Sequence, residues 1–208
     1  MIINIRGTNG SGKTTLARDL IGERPNPIDL LHYPSPTKRD PERMAWVEGW
    51  GGRTDFIAVG SYKQGCGGLD TVPSFDLQQR AIRVAHDWKR ENGTALMAGT
   101  RPRFVIAEGV LASTVFGSWG NFFAGFNKDE VLIAYLDTPL EVCLERITAR
   151  QIAAKGEARE IKTDQVADKI RAINATRKRF DAAGFTTILL DHTRPAADLI
   201  SHLHDLGA

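Results

Sequence analysis

The sequence predicts a three-layer α/β/α fold, in which a mostly parallel five-stranded sheet carries helices on both faces and a helical lid. Three observations lead to this prediction. Apolar runs typical of buried strands alternate with stretches of helical periodicity along the chain. A glycine-rich loop joins the first predicted strand to the first predicted helix. Hydrophobic residues fill 42% of the 208 positions, which is enough for one sizeable core.

The predicted elements follow one another without a repeat or a clear linker, so residues 1–208 are expected to form a single domain. Strands are predicted at 1–6, 55–60, 104–107, 131–136 and 186–190, with a further short candidate at 28–32. Helices are predicted at 14–21, 74–90, 139–150, 163–183 and 195–206. Thr138 is expected to cap the third of these helices, with Pro139 in its first turn. Residues 33–54 have no clear period and are predicted to be an irregular insertion.

The formal net charge is only +2, but basic residues are concentrated late in the chain. Residues 150–179 contain nine Lys or Arg and four Asp or Glu. A local basic excess of this kind suits phosphate or nucleic acid, although a solvated helix face explains it equally well.

The two cysteines, Cys66 and Cys143, have neither metal-ligand spacing nor a disulfide pattern, which indicates a reducing compartment. No apolar run approaches the roughly 20 residues of a membrane span, so no membrane partner is expected. The N-terminus runs straight into the glycine-rich loop and does not resemble a signal peptide. A cytoplasmic location is therefore predicted.

The glycine-rich loop is the most informative motif. It matches G-x-x-x-x-G-K-[ST] at every fixed position, and the residues expected to bind ATP are Gly7, Thr8, Asn9, Gly10, Ser11, Gly12, Lys13, Thr14 and Thr15. Glycines allow successive N–H groups to point at phosphate oxygens, and the following helix directs its positive end at the same anion. Lys13 is expected to reach the β- and γ-phosphates, and the Thr14 hydroxyl to ligate Mg²⁺. Thr15 is a candidate for the α-phosphate.

Two acids are candidates for the chemistry of the acceptor. Glu108 ends a predicted buried strand. There it would lie beside the glycine-rich loop at 7–14, the predicted phosphate loop, and would either hold Mg²⁺ through water or accept a proton. Asp70 ends a glycine-rich loop that follows another strand, and it is the first choice for a general base. Both residues have structural alternatives, Glu108 at a helix start and Asp70 in a turn.

Positive charge around a moving phosphoryl group is expected from a lid at about 150–163. Small P-loop kinases resemble one another in supplying it this way, and residues 136–146 look like the strand and helix that lead to such a lid. Arg146 and Arg150 lie four residues apart and share a helix face, and Arg159 is a further candidate. The chain has no N-K-x-D guanine motif.

Tyr62 and Arg80 are weaker candidates for contact with the acceptor, since both residue types commonly serve packing or solvation. Residues 191–194 follow the last predicted strand, where kinases of this kind usually place the adenine.

Three segments together resemble a group of bacteriophage P-loop kinases that phosphorylate 5-hydroxymethyluracil in DNA. The segments are GTNGSGKTT at 7–15, IAVGSYKQGCGGLDT at 57–71 and VIAEGVLAS at 105–113. The resemblance implies that one pocket for the acceptor is shaped by Tyr62, Cys66, Gly67, Gly68 and Asp70. It also implies a protein that works inside an infected bacterial host.

A DNA acceptor would require surfaces that bind phosphates and bases. The basic stretch 150–179, together with Arg101 and Arg103, would give salt-sensitive affinity. Trp46, Trp50 and Phe56 lie close in sequence to Arg43 and Arg53, and aromatic side chains in such a setting stack on bases. Packing within the inserted region is an equally good explanation of these aromatics.

The leading hypothesis is therefore an ATP- and Mg²⁺-dependent kinase whose acceptor is a hydroxymethylated pyrimidine in DNA. A nucleoside or nucleoside-monophosphate kinase is the main alternative. A third hypothesis is a regulator that binds a nucleotide without transferring phosphate. The sequence makes no prediction about the oligomeric state.

Overall fold

The computed structural model describes residues 1–23, 25–51, 54–63, 67–91 and 103–207. The strands are β1 Ile2–Arg6, β2 Asn26–Pro34, β3 Met44–Gly51, β4 Phe56–Val59, β5 Phe104–Glu108, β6 Val131–Asp137 and β7 Thr186–Asp191. The helices are α1 Lys13–Ile21, α2 Phe75–Glu91, α3 Val110–Thr114, α4 Gly117–Phe123, α5 Leu140–Lys155, α6 Thr163–Ala182 and α7 Pro195–Asp205. Short 3-10 helices cover Leu69–Thr71 and Lys128–Glu130.

The sheet has seven strands in the order β2-β3-β4-β5-β1-β6-β7, so the predicted number of five is wrong. From β4 to β7 all neighbours are parallel, whereas β3 is antiparallel to both β2 and β4. The predicted α/β class and the mostly parallel sheet are confirmed. The two additional strands form a hairpin at one edge of the sheet.

Only part of the hairpin was predicted, as the short strand candidate at 28–32 within β2, because its sequence lacks a clean strand period. A register shift between Asp29 and Leu31 interrupts the alternation of β2, as a β-bulge does. Glycines further weaken the pattern of β3, and a Cβ at Gly49 would lie 2.9 Å from Leu30 Cδ1, so a larger residue there would force the Leu30 side chain to shift. β3 therefore occupies residues within 33–54 that showed no period.

Four of the five parallel strands, β1, β4, β5 and β6, are covered on both faces, which explains their nearly continuous apolar sequences, whereas the edge strand β7 is partly exposed. Every residue of β1 and β5 is buried. Successive residues face opposite sides, so that Ile2 packs in a cluster with Phe123 and Phe180, and Ile3 packs in a second cluster with Leu16. Phe56 stacks on Phe104 within the core, with ring centroids 4.9 Å apart, and so it packs rather than contacts a base.

The helices differ from the predicted ones mainly near the phosphate loop. α3 and α4 were not predicted, since each is shorter than the windows in which helical periodicity can be recognised. α5 continues to Lys155 and ends at Gly156, whose φ of 78° suits a helix terminus. Thr138 does not cap this helix, because its hydroxyl donates to the Ser11 carbonyl at 3.0 Å.

Within the part of the chain that the structure describes, no helix combines the length and the apolar character that crossing a bilayer requires. The parallel arrangement brings the carboxyl ends of β1, β4 and β5 to the same edge of the sheet. The loops that follow these three ends carry the predicted site.

Candidate active site

The phosphate loop has a conformation that depends on glycine. Gly10 and Gly12 have φ angles of 77° and 100°, in the region that other residues rarely adopt. A Cβ on Gly10 would also lie 2.4 Å from the Cys143 carbonyl oxygen, so the loop packs tightly against α5. α1 begins immediately afterwards at Lys13, which directs the amino end of the helix toward the loop.

Three neighbouring elements hold this loop in place. The Gly7 N–H donates to Ser113 Oγ on α3 at 3.2 Å. The Thr138 hydroxyl holds the Ser11 carbonyl from the end of β6. Arg146 Nη1 on α5 donates to the carbonyls of Gly10 and Ser11, at 3.4 and 3.2 Å. These contacts within the protein therefore fix the shape of the loop.

Lys13 is buried at the base of the loop, with 5% of its surface exposed. Its Nζ donates to the Thr8 carbonyl at 2.9 Å, across the loop. Its charge also acts on Glu108, because it lowers the pKa of that carboxyl. The ammonium group is thus held between the loop and the acidic end of β5.

Glu108 ends β5 opposite Ile5 of β1 and is 1% exposed. The Thr14 hydroxyl donates to its Oε1 at 2.9 Å. Burial raises the pKa of Glu108 to about 7, and the nearby Asp70 adds to this effect, while Lys13 and Thr14 oppose it. The carboxyl group can therefore change its protonation state near neutral pH.

Asp70 is exposed and lies in the 3-10 helix after β4. Its Oδ2 accepts the Val110 N–H at 2.8 Å, and its Oδ1 accepts the Leu111 N–H at 3.4 Å. The side chain therefore has a structural role at the start of α3. It also faces the cleft beside the phosphate loop.

One cleft of about 470 Å³ brings most of the predicted residues together. It is lined by Asn9, Gly10, Gly12, Lys13, Thr14, Thr15, Gly67, Asp70, Glu108, Val110, Arg146 and Arg150. Residues from four separate parts of the sequence thus meet at the predicted edge of the sheet. Val110 was not predicted to line the cleft. The only feature of the sequence that could have indicated it is its position directly after Glu108-Gly109.

The other predicted acceptor residues lie outside this lining. Tyr62 is 6% exposed, and its pKa is raised by burial and by the nearby charge of Glu108. Gly68 packs directly on Glu108, since a Cβ there would be 2.4 Å from the Glu108 carbonyl oxygen. Arg80 lies on the exposed side of α2 in an ion pair with Asp76, away from the cleft lining. Cys66, Arg53 and Arg101 lie outside the described residues.

Two more residues support the site without having been predicted. Arg18 on α1 donates from Nη2 to the Tyr62 carbonyl at 3.2 Å, and its charge lowers the pKa of Glu108. Ser113 belongs to a segment that pointed to the kinase group, but its bond to Gly7 joins residues 106 positions apart. A contact between residues so far apart in the chain cannot be recognised from a local sequence pattern.

The segment predicted as a lid covers the last turns of α5 and the chain up to α6. Arg150 lines the cleft, whereas Arg159 is exposed and is held through its N–H, which donates to Gln151 Oε1 at 2.8 Å. In the loop after β7, a ring nitrogen of His192 lies 3.1 Å from the Asp137 carbonyl oxygen. That loop thus lies next to the end of β6.

The donor set of the cleft fits Mg²⁺ better than a transition metal. A hydroxyl from Thr14 and a carboxylate from Glu108 are oxygen ligands, and Mg²⁺ completes its shell with water and phosphate oxygens. Across the described ranges, no group of three or more His, Cys, Asp or Glu side chains could hold a metal ion by itself.

The chain is similar over nearly its whole length to named phage proteins. It is 33% identical to the 5-hmdU DNA kinase of Pseudomonas phage M6, over 99% of this chain and 98% of that protein. Proteins of the same name from Pseudomonas phage PaMx11 and Bacillus phage SP10 are each 28% identical, over 91% and 90% of this chain. The match spans 90% of the PaMx11 protein and 26% of the SP10 protein.

No protein-family model matches the chain, and no solved structure matches it. The first of these similarities extends from end to end of both proteins at an identity that indicates common descent. The chain therefore belongs to the family of phage 5-hmdU DNA kinases.

Proposed function

We propose that this protein transfers the γ-phosphoryl group of ATP to the 5-hydroxymethyl group of 5-hydroxymethyluracil in DNA. The observation that supports this most is the agreement between the relatives' shared name and a cleft in which a phosphate loop faces two carboxylates. The donor and the acceptor of a kinase need these two features side by side. The fold is, on this proposal, that of a P-loop kinase.

The phosphate loop binds the triphosphate of ATP through its main-chain N–H groups and Lys13. Lys13 is buried and already close to the loop, so little reorganisation is needed when charge develops on the γ-phosphate. Arg146 and Arg150 of α5 also line the cleft and add positive charge to it, Arg146 in direct contact with the loop. Residues 150–163 act as the lid, because they are largely exposed and Arg150 faces the nucleotide side.

Thr14 and Glu108 would hold Mg²⁺, which supplies positive charge at the phosphate oxygens. The Thr14 hydroxyl donates to Glu108 Oε1 at 2.9 Å, so the two oxygen donors lie side by side.

In the transfer step the hydroxyl oxygen of the acceptor bonds to the γ-phosphorus. The bond between that phosphorus and the β,γ-bridging oxygen breaks, ADP leaves, and the hydroxyl proton passes to a carboxylate. We assign this proton to Asp70, because it is the exposed carboxylate of the cleft lining and an entering hydroxyl can reach it. Glu108 is buried and already accepts the Thr14 hydroxyl, which suits it to the metal.

The test is to offer ATP labelled on the γ-phosphate together with four acceptors. These are DNA containing 5-hydroxymethyluracil, the same DNA with thymine, free nucleosides and nucleoside monophosphates. The proposal predicts label on the modified DNA alone. Label confined to free nucleosides or monophosphates would replace it with the small-molecule kinase hypothesis, and no label on any acceptor would favour the regulator.

A further inference from the structure

A second concave surface lies on the β2–β3 hairpin, of which the sequence predicted only residues 28–32. This surface, the hairpin groove, has a volume of about 320 Å³ and includes Tyr33, Arg43, Trp46, Glu48 and Lys63 in its lining. All of these residues are described by the structure. The function proposed above assigns no role to this groove.

The strand register places the hairpin groove at the same edge of the sheet as the phosphate loop. β3 pairs with β4 through residues 49–51, opposite Val59, Ala58 and Ile57, and the Gly60 N–H just after β4 donates to the Glu48 carbonyl at 2.7 Å. Residues 44–48 of β3, with their partners at the end of β2, therefore extend beyond the carboxyl end of β4. The carboxyl end of β1, from which the phosphate loop starts, lies at this edge too.

A continuous path joins the hairpin groove to the proposed base. Thr71, Val72 and Pro73 line the groove and also line a neighbouring depression of about 370 Å³. Asp70 lines that depression and also lines the cleft that contains Lys13. A polymer whose reacting group lies at Asp70 can thus continue along the surface to β3, whereas a single nucleoside would end in the cleft.

The chemistry of the hairpin groove is that of a surface for a nucleic acid strand. Trp46 is 51% exposed and Met44, two residues before it on β3, is 50% exposed, so two neighbouring large apolar side chains reach solvent on this strand. Arg43 is also exposed beside them. Indole rings provide faces on which bases stack irrespective of sequence, and arginine binds phosphate.

The acidic side chain in the lining of the groove, Glu48, is already neutralised. The Lys63 ammonium contacts Glu48 Oε1 at 2.5 Å, and Trp50 Nε1 donates to Glu48 Oε2 at 3.2 Å. Partial burial favours the neutral carboxyl, but these two partners outweigh it and lower the pKa of Glu48. The Glu48 carboxylate therefore forms its ion pair with Lys63. Because this carboxylate is paired with Lys63, the positive charge of Arg43 can attract a phosphate group.

We infer that the hairpin groove binds the DNA strand next to the target nucleotide, with a neighbouring base on Trp46 and a phosphate at Arg43. This inference rests on the proposed function, because it takes DNA as the acceptor. The hairpin would then distinguish a polymer from a free nucleoside, while the cleft performs the transfer.

The experiment compares Trp46→Ala and Arg43→Ala with wild type in the full-length protein. Binding of a fluorescent oligonucleotide containing 5-hydroxymethyluracil is measured by anisotropy, and KM is measured for the DNA and for ATP. Each variant should weaken DNA binding and raise KM for DNA by about ten-fold, with KM for ATP unchanged. Arg43→Ala should also reduce the steepness of the plot of log affinity against log salt concentration, by the amount that corresponds to about one lost phosphate contact.

Two control variants lie away from the groove. Leu206→Ala removes an apolar side chain of similar exposure, 48%, just after α7. Lys128→Ala removes an exposed charge immediately before β6, at the amino end of the parallel strands. Neither control should change DNA binding or KM.

The outcomes separate this inference from the function on which it rests. Wild-type protein that labels modified DNA, with DNA affinity unchanged in both groove variants, would overturn the hairpin groove alone. An equal loss of affinity in Lys128→Ala would also overturn it, since binding would then follow net charge rather than this surface. Absence of both labelling and DNA binding in wild type would reject the proposed function itself.

Discussion

The parallel part of the sheet and the β2–β3 hairpin differ in their burial and in the extent of their pairing with neighbouring strands. Strands β1 and β5 are buried on both faces and lead to the phosphate loop and Glu108. The hairpin pairs with β4 through three residues of β3 and presents a large aromatic side chain to solvent. We propose a division of labour, in which the buried parallel strands position the groups for transfer and the hairpin recognises the acceptor.

Replacement of Lys13 should abolish transfer. In Lys13→Ala the buried ammonium at the phosphate loop is lost, and we expect turnover to fall by about 10³-fold or more. The measurement is the initial rate of labelling of modified DNA at saturating ATP. Lys38→Ala, which removes an exposed lysine from the hairpin, is the matched control and should retain the wild-type turnover. Comparable losses in both variants would contradict the division.

Replacement of Asp70 should lower turnover by about 10²-fold or more, since its carboxylate takes the acceptor's proton. Asp70→Asn is the appropriate change, because an amide oxygen can still accept a hydrogen bond at the start of α3. Asp129→Asn, which lies before β6, serves as the control. A change of less than about three-fold in Asp70→Asn would move the role of base to Glu108.

The buried carboxyl of Glu108 should make stability depend on pH. Its pKa is 4.5 in a solvated reference and about 7 in the folded protein, so the folded state binds the extra proton between these values. The stabilising contribution of the Glu108 proton is therefore fully present below about pH 4.5 and is lost as the pH rises through 7. It is measured as the unfolding free energy of the wild type minus that of Glu108→Gln. At pH 8 the wild type should be less stable than the variant by about 3 kcal/mol at most.

Urea unfolding of both proteins without nucleotide, from pH 5 to pH 8, measures this difference. Parallel stability profiles would show that the carboxyl group is not desolvated as the structure implies.

A smaller effect is expected at the hairpin. Gly49→Ala would place a Cβ 2.9 Å from Leu30 Cδ1 and 3.2 Å from Ile57 Cδ1, and we expect a loss of about 1–2 kcal/mol of unfolding free energy. Gly117→Ala is the control, because nothing lies within 4 Å of a Cβ there and alanine favours helix α4. Denaturant unfolding of the two variants measures the effect. Equal stability would mean that β2 and β3 do not pack closely.

The sequence predicted the parallel strands well because burial on both faces leaves a visible apolar run, as in VLIAYL before Asp137. The phosphate loop was equally visible, since its glycines and Lys13 occupy fixed positions in a short segment. Among the acids, Glu108 could be placed beside the loop by topology alone.

Features that depend on contacts distant in sequence were missed or wrongly predicted. Thr138 has the character of a helix cap, yet it bonds to Ser11, and no local pattern distinguishes the two roles. Only residues 28–32 of β2 were predicted as a strand, because the bulge between Asp29 and Leu31 interrupts its alternation, and its partner β3 was not predicted.

The proposed reaction joins bound ATP to a hydroxymethyl group carried by DNA within one cleft. It is tested by mass spectrometry of the nucleosides released from modified DNA after incubation with the protein, ATP and Mg²⁺. The expected result is one added phosphoryl group on 5-hydroxymethyldeoxyuridine and on no other nucleoside, with the product absent for Lys13→Ala. Unmodified 5-hydroxymethyldeoxyuridine after incubation with the wild-type protein would contradict it.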